Sequence, residues 1–382
     1  MSTNPELPPA DTTPAAEVEW DGTNLAGDVV EAGIQKNAPE YQEDLRWWFR
    51  YTGEKRMNQA EAARTLGVDG STYNRVFRGE YKNAQKLVLA PPAKMLSRIR
   101  VTRHQERENA AEINKGRVMT PTVAEIHLVC RKAWADRQIA LIWGESHTGK
   151  TEALKWFRDE NNHGSTLYVD LQRCLGVQDV YRAFADALRI SRDVPIAKLM
   201  PRVFAAIDRS NLVIVDEFHH ITYAYQKAGS NRMVNALKAI KDFTTCAMVI
   251  CATNVARDEF TEGVGHEAKL LKQLWRRGVI KFQLADALPV GDVRAFAAAY
   301  GLDFPEAPEK GADTWKRLRA ENPDFAGMNV CEHSAYECGV LHLVTVFKDG
   351  ARLAEKRGRP VQWKDVNAAQ EIYDRRAAKK EV

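Results

Sequence analysis

Gly144, Gly149, Lys150 and Thr151 stand in the run GESHTGKT, residues 144–151, at the spacing GxxxxGK[ST]. That spacing suits the binding of a polyphosphate. Glycine-rich backbone can turn successive N–H groups toward a β-phosphate, and the start of a following helix adds its positive end. Lys150 has the reach for the β- and γ-phosphates, and the Thr151 hydroxyl the position for Mg2+. Gly144, Glu145, Ser146, His147, Thr148, Gly149, Lys150, Thr151 and Glu152 are therefore expected to hold ATP.

Three further segments carry residues that such a loop needs. NLVIVDEFHH, residues 211–220, is an apolar run that ends in two carboxylates. Asp216 suits the Mg2+ shell, and Glu217 is placed to polarise a water as general base. Adjacent carboxylates disfavour each other's ionisation, and a nearby cation removes that cost. CAMVICATN, residues 246–254, offers Asn254 as a polar contact to the γ-phosphate and the attacking water. In LLKQLWRRGVIKF, Arg276 and Arg277 precede the last apolar run, where an arginine can point at a neighbouring subunit's nucleotide and supply transition-state charge. Which of the two does so is open.

The elements that position these residues follow from the pattern of apolar runs. IALIW (139–143), STLYVDL (165–171), NLVIVDE (211–217), CAMVICATN (246–254) and VIKFQL (279–284) alternate with helix-compatible stretches. That alternation predicts an α/β domain with a mostly parallel sheet over 119–284. Thr120 is placed to cap a helix with Pro121 at its first position. After Ala285 the strand pattern stops, and 285–382 reads as a helical lid.

Upstream lies a different kind of segment. QAEAARTLGVDGSTYNRVFRGEY, from Gln59 to Tyr81, has helix-turn-helix spacing. Asn58 can cap the first helix, Gly67 can take the positive φ of the turn, and Ser71 is expected to begin the second helix. Leu66, Val68, Tyr73, Val76 and Phe77 would form its core, leaving Ser71, Thr72, Asn74, Arg75 and Arg78 to face a DNA groove. The stretch resembles the lambda-repressor-like family, and an all-α DNA-binding domain is expected over 41–90. Residues 1–40, acidic and proline-rich with Lys36 the one basic residue, are expected to be disordered. The charged stretch 91–118 is expected to be a linker containing a helix. A net charge of +4 over 382 residues confines any nucleic-acid surface to local patches. Lys227 and Arg232, in TYAYQKAGSNRMVNALK, are candidates for sequence-independent phosphate contact.

The six cysteines form no CxxC pair, which reads as reduced, partly buried thiols in a cytoplasmic protein. No run has the ~18 apolar residues of a membrane span. Cys331, His333, Cys338 and His342 are four possible zinc ligands, but their spacing matches no familiar site, and packing inside the lid is the expectation. His219 and His220 are expected to be structural.

Taken in order, the helix-turn-helix, linker, TPTV, IWGESHTGKT, VIVDEFHH, CATN and LWRR resemble the phage Mu B transposition protein family, AAA+ ATPases related to the TnsC and IstB helpers. The resemblance covers roughly 41–382. It implies ATP- and Mg2+-dependent homo-oligomers, rings or helical filaments, on largely non-specific double-stranded DNA, and stimulation of a partner transposase. One departure is GVLHLV, where many AAA+ proteins place a lid arginine; His342 stands near that slot. An ATP-gated transcription regulator and a helicase-loader or repair-type ATPase would carry the same parts. No nuclease or integrase constellation is present.

Overall fold

The computed structural model describes residues 27–82, 89–112, 117–160, 164–221, 227–262, 272–273, 276–306 and 313–378. The chain divides into two compact units, Met1–Pro92 and Ala93–Val382.

The first unit is all-α. Helices α1 (Gly27–Lys36), α2 (Pro39–Glu54), α3 (Gln59–Thr65) and α4 (Gly70–Phe77) pack around Leu45, Trp48, Leu66, Tyr73 and Phe77, all fully buried. The segment expected to be disordered up to residue 40 is helical from Gly27. Val30 and Ile34 are buried, and Glu31 pairs with Arg46 of α2 at 2.6 Å. Helix α1 approaches α4 so closely that a Cβ at Gly33 would collide with the Phe77 carbonyl. The acidic composition of the segment hid these few apolar anchors. Asn58 caps α3 by accepting from the Glu61 amide at 2.9 Å, and Gly67 takes φ 66° in the turn. The cap of α4 is Asp69, so the helix begins at Gly70, one residue before the expected Ser71.

The second unit is built on a five-stranded parallel sheet: β1 (Ile139–Trp143), β2 (Thr166–Asp170), β3 (Leu212–Asp216), β4 (Ala247–Ala252) and β5 (Gly278–Gln283), in the order β2-β3-β4-β1-β5. Strands β1, β3 and β4 are buried along their whole length, because helices cover both faces of a parallel sheet. Edge strand β5 alternates, and its sequence alternates with it. Helices α6 (Pro121–Asp136) and α7 (Lys150–Asp159) pack on one face; α8 (Val177–Ala187), α9 (Ile196–Ala206) and α10 (Lys227–Thr244) pack on the other. Thr120 caps α6 by accepting from the Val123 amide, with Pro121 in the first turn.

Helix α5 (Ala93–Glu112) occupies the stretch expected to be a linker, and it is instead part of the second unit. Met95 and Ile99 are fully buried, the Ser97 hydroxyl donates to the Leu188 carbonyl at 2.8 Å, and Lys94 pairs with Asp208. A helix this charged looked like a free spacer; its short apolar stripe finds a partner only in the folded unit.

Helix α11 (Asn254–Glu262) precedes β5, and the elements among the described residues after that strand are helical, as anticipated: α12 (Val290–Ala299), α13 (Thr314–Glu321), α14 (Met328–His333), a π-helical turn at Ser334–Cys338, α15 (Gly339–Glu355) and α16 (Trp363–Ala378). They close around a separate core of Leu318, Leu343, Val346, Phe347 and Val366. No helix among the described residues is long and apolar enough to cross a membrane.

Candidate functional site

Strand β4 lies between β1 and β3, so the loop after β1 and the carboxylates at the tip of β3 open onto the same end of the sheet. Gly149 takes φ 85° and leads directly into α7, whose first residues are Lys150 and Thr151. Lys150 is buried; its ammonium donates to the Gly144 carbonyl at 3.0 Å, the Glu145 carbonyl at 2.5 Å and the Thr148 hydroxyl at 3.3 Å. The Thr151 hydroxyl donates to Asp216 Oδ2 at 2.7 Å. The two residues expected at the metal therefore meet, although 65 positions separate them.

Asp216 is buried and accepts two further hydrogen bonds: from the Tyr168 hydroxyl at 2.7 Å and from the Glu217 amide at 2.8 Å. Glu217 sits just past the strand at φ 56°, a left-handed position that costs a non-glycine residue roughly 1 kcal/mol. Such strain clusters where a side chain must be held in one direction. Burial pushes the Glu217 carboxyl above its ordinary range, and the Asp216 charge adds to the effect. The imidazoles of His219 and His220 lie 3.4 and 3.7 Å from Glu217 Oε2 and 4.4 Å from each other. Burial and the neighbouring His220 lower the pKa of His219, which favours the neutral ring. The two histidines expected to be structural thus stand against the candidate base.

These groups line a cavity of about 640 Å³. Its lining includes polar groups, Ser146 to Glu152, Asp216, Glu217 and Thr253, and apolar ones, Val123, Ile126, Phe296 and Val344. A cavity of this size, part apolar and part polar, is of the kind that encloses a small molecule. Glu152, expected at the ligand, is engaged by Arg117 Nε at 3.2 Å, while Arg117 Nη2 bonds Asp159 at 2.7 Å.

Asn254 is placed differently from the expectation. Its amide donates to Glu145 Oε1 at 2.6 Å and to Asp286 Oδ1 at 3.2 Å, and Thr253 rather than Asn254 lines the cavity. Strand β4 ends at Ala252 and α11 starts at Asn254, and there the side chain is held by Glu145 of the loop and by Asp286. His342 is likewise not at the cavity. Its Nε2 lies 2.7 Å from Gln370 Oε1, and the same helix α15 presents Leu341, Val344 and Lys348 to the cavity. Positions 341, 344 and 348 share a helical face by their i, i+3, i+7 spacing, and that was the available signal for Lys348. No pattern marked Arg117 or Tyr168, since each acts through a partner distant in the chain.

Arg276 and Arg277 are both exposed and neither borders the cavity. Arg277 pairs with Asp242 at 2.9 Å. In the first unit Ser71, Arg75 and Arg78 are exposed, but Thr72 and Asn74 are half-buried. The Ser71 and Thr72 hydroxyls both donate to Asp69, at 2.6 and 2.8 Å, so the cap holds them rather than leaving them outward. The Arg75 guanidinium lies over the Tyr81 ring at 5.7 Å. Arg232 is exposed on α10, and the side chain of Lys227 lies outside the described residues.

No curated protein matches the chain. Residues 133–259 match the family model described as AAA domain, about a third of the chain. The matched span begins before β1 and ends in α11, taking in the loop, the carboxylate pair and Asn254. Over residues 133–259 the chain is thus similar to an AAA domain, carried on the parallel sheet and the loop described above.

Proposed function

We propose that the chain binds ATP and Mg2+ in the cavity at the tips of β1, β3 and β4, hydrolyses the ATP, and assembles on double-stranded DNA to serve a partner transposase. The observation that carries the nucleotide part is the 2.7 Å contact of Thr151 with Asp216 beside the buried Lys150. A hydroxyl and a carboxylate are hard oxygen donors, the set that Mg2+ prefers. When bound, that ion neutralises phosphate charge. Lys150 would exchange its loop carbonyls for phosphate oxygens, and the loop amides would supply further donors to the phosphates. Glu217, with its raised proton affinity, accepts a proton from the attacking water. Asn254 retains a buried, unpartnered Oδ1 beside this loop, which suits an acceptor for that water once the side chain turns inward.

Of the two arginines, Arg276 is the better trans-acting group, because Arg277 is held by Asp242. An exposed arginine before the edge strand reaches an adjacent subunit without disturbing its own. The DNA part is supported by Arg75 and Arg78 on the exposed side of α4 and its cap, and by Arg232 on α10. One short recognition helix binds weakly, and repetition along an assembly multiplies it. The transposase and the ring or filament are supported by the order of motifs that resembles the Mu B family.

Electron microscopy of the chain with ATP and random-sequence duplex DNA tests the whole reading. Rings or filaments that need ATP support it. Monomers or dimers alone, or a single protected operator that is bound equally by Lys150→Ala, would sink it.

A further inference from the structure

Away from the nucleotide cavity, His333, Cys338 and His342 form a cluster that the proposed cycle does not use. One ligand atom of each lies within 4.8 Å of the other two. Five residues along an α-helix would place His333 and Cys338 about 140° apart. The turn Ser334–Cys338 is π-helical, closed by the Gly339 amide on the Ser334 carbonyl, and this wider turn brings the two side chains together. His333 Nε2 lies 3.3 Å from Cys338 Sγ. Ordinary Zn–N and Zn–S bonds at a tetrahedral angle would set that separation at about 3.6 Å.

The surroundings are those of a ligand set. Glu337 Oε2 takes His333 Nδ1 at 2.7 Å, which fixes the ring with Nε2 toward the thiol. Gln370 takes His342 Nε2 at 2.7 Å and is itself held by Asp374 at 2.8 Å, leaving Nδ1 as the lone pair of that ring. Cys338 is the one cysteine of the six that is not buried; Cys331, the fourth ligand suggested by composition, is sealed in the lid core.

We propose that His333, Cys338 and His342 bind a Zn2+ ion, with the fourth position left to water or a neighbouring carboxylate, and that this ion braces the lid against the phosphate loop. One thiolate and two imidazoles form a borderline-soft set that suits zinc. Binding releases the thiol proton to solvent. The brace follows from what comes next in the chain. Gly339 takes φ 72°, with no room for a Cβ against His147, and the Val340 amide donates to the His147 carbonyl at 3.0 Å. An ion on Cys338 therefore fixes the residue just before the contact with the loop. The bracing rests on the nucleotide reading above; the metal site does not.

Cobalt titration of the chelator-treated full chain tests the site. One equivalent of Co2+ is expected to produce thiolate-to-cobalt charge-transfer and tetrahedral d–d absorption, displaced by one equivalent of Zn2+. Zn2+ is also expected to protect Cys338 from alkylation. Cys338→Ser and His342→Asn should lose the absorption, and Cys331→Ala should keep it. No charge-transfer band, a band that survives Cys338→Ser, or unprotected alkylation would overturn the site. For the brace, Zn2+ should change the affinity for a fluorescent ATP analogue about fivefold or more in the parent and not in Cys338→Ser. Equal affinity with and without Zn2+ overturns the brace. If no analogue binds under either condition, the nucleotide reading fails together with the brace, while the cobalt result still decides the site.

Discussion

The Val340 amide, in the lid, donates to the His147 carbonyl, in the phosphate loop, over 3.0 Å. The lid is thus hydrogen-bonded to the loop it covers. His147 holds a left-handed backbone at φ 66° and meets Gly339, whose φ is 72°. His147 is the strained position of the two, since glycine takes a positive φ freely, and a side chain at Gly339 would strain the second.

Gly339→Ala is expected to loosen this contact. The added Cβ would lie 2.6 Å from the His147 carbonyl oxygen, and the Gly339 backbone, at φ 72° and ψ −175°, is one that essentially glycine alone adopts, so an alanine there costs about 1–3 kcal/mol. Nucleotide affinity should fall about tenfold, the equivalent of about 1.4 kcal/mol. Titration with a fluorescent analogue measures it, and unchanged affinity would mean that the lid contact plays no part in binding.

Glu217→Gln should reduce ATP turnover by about 10²- to 10⁴-fold while nucleotide still binds. The pH dependence has a definite sign. Burial raises the Glu217 pKa, so the parent should lose turnover on acidification at a midpoint above the ordinary ~4.3 of glutamate. A raised carboxyl contributes to stability below its unfolded pKa, and that contribution is lost as pH rises through the folded value. The glutamine variant should therefore melt no lower than the parent at neutral pH. Scanning calorimetry and a pH–rate profile check both points.

Tyr168→Phe removes one of the hydrogen bonds that orient Asp216. The cost to stability should be about 1 kcal/mol. Loss of a supporting partner to a metal-binding carboxylate typically weakens the metal about 10- to 100-fold. The Mg2+ concentration for half-maximal hydrolysis should rise accordingly, and a flat response would show that Thr151 and the Glu217 amide suffice.

In the lid, the buried Asp365 accepts from Arg357 at 2.7 Å, from Arg359 at 2.6 and 2.7 Å, and from the Gln362 amide at 3.1 Å. The Arg359 hydrogen bond holds its carboxyl below the ordinary range. That contribution is present above the unfolded pKa of ~3.9 and is lost as pH falls through the lower folded value. Asp365→Asn should cost roughly 1.5–3 kcal/mol at pH 7, the worth of hydrogen bonds to a charged group. The gap to the parent should narrow below about pH 4. Denaturant melts across pH test this, and a pH-independent gap would argue against the linkage.

Arg75→Ala with Arg78→Ala should weaken duplex binding with little dependence on base sequence. Each lost phosphate contact lowers the slope of log K against log salt by about 0.9. A change confined to one preferred sequence would favour the regulator reading instead.

Much of the site was legible in order along the chain. The loop, the carboxylate pair and the strands that end in them are local patterns. A parallel strand buried on both faces reads as a continuous apolar run, as in β1, β3 and β4. A phosphate loop needs its glycines and lysine at fixed separations. The cap at Asn58 and the turn at Gly67 were legible for the same reason, since each is satisfied within a few residues.

What the chain order could not carry were pairings across distance and departures from a regular helix. Tyr168 reaches Asp216 only because β2 pairs with β3, and Arg117 reaches Glu152 and Asp159 only through the packing around α7. Helix α1 and helix α5 have too few apolar residues to declare themselves, and their partners lie elsewhere in their own units. Asn254 and His342 are held away from the expected positions by partners distant in the chain, Glu145 and Asp286 for the one and Gln370 for the other. The π-turn after His333 is the clearest case. Sequence alone holds the ligand types, Cys and His, but α-helical periodicity keeps them apart; the wider turn that brings them together forms only when the lid packs against its core.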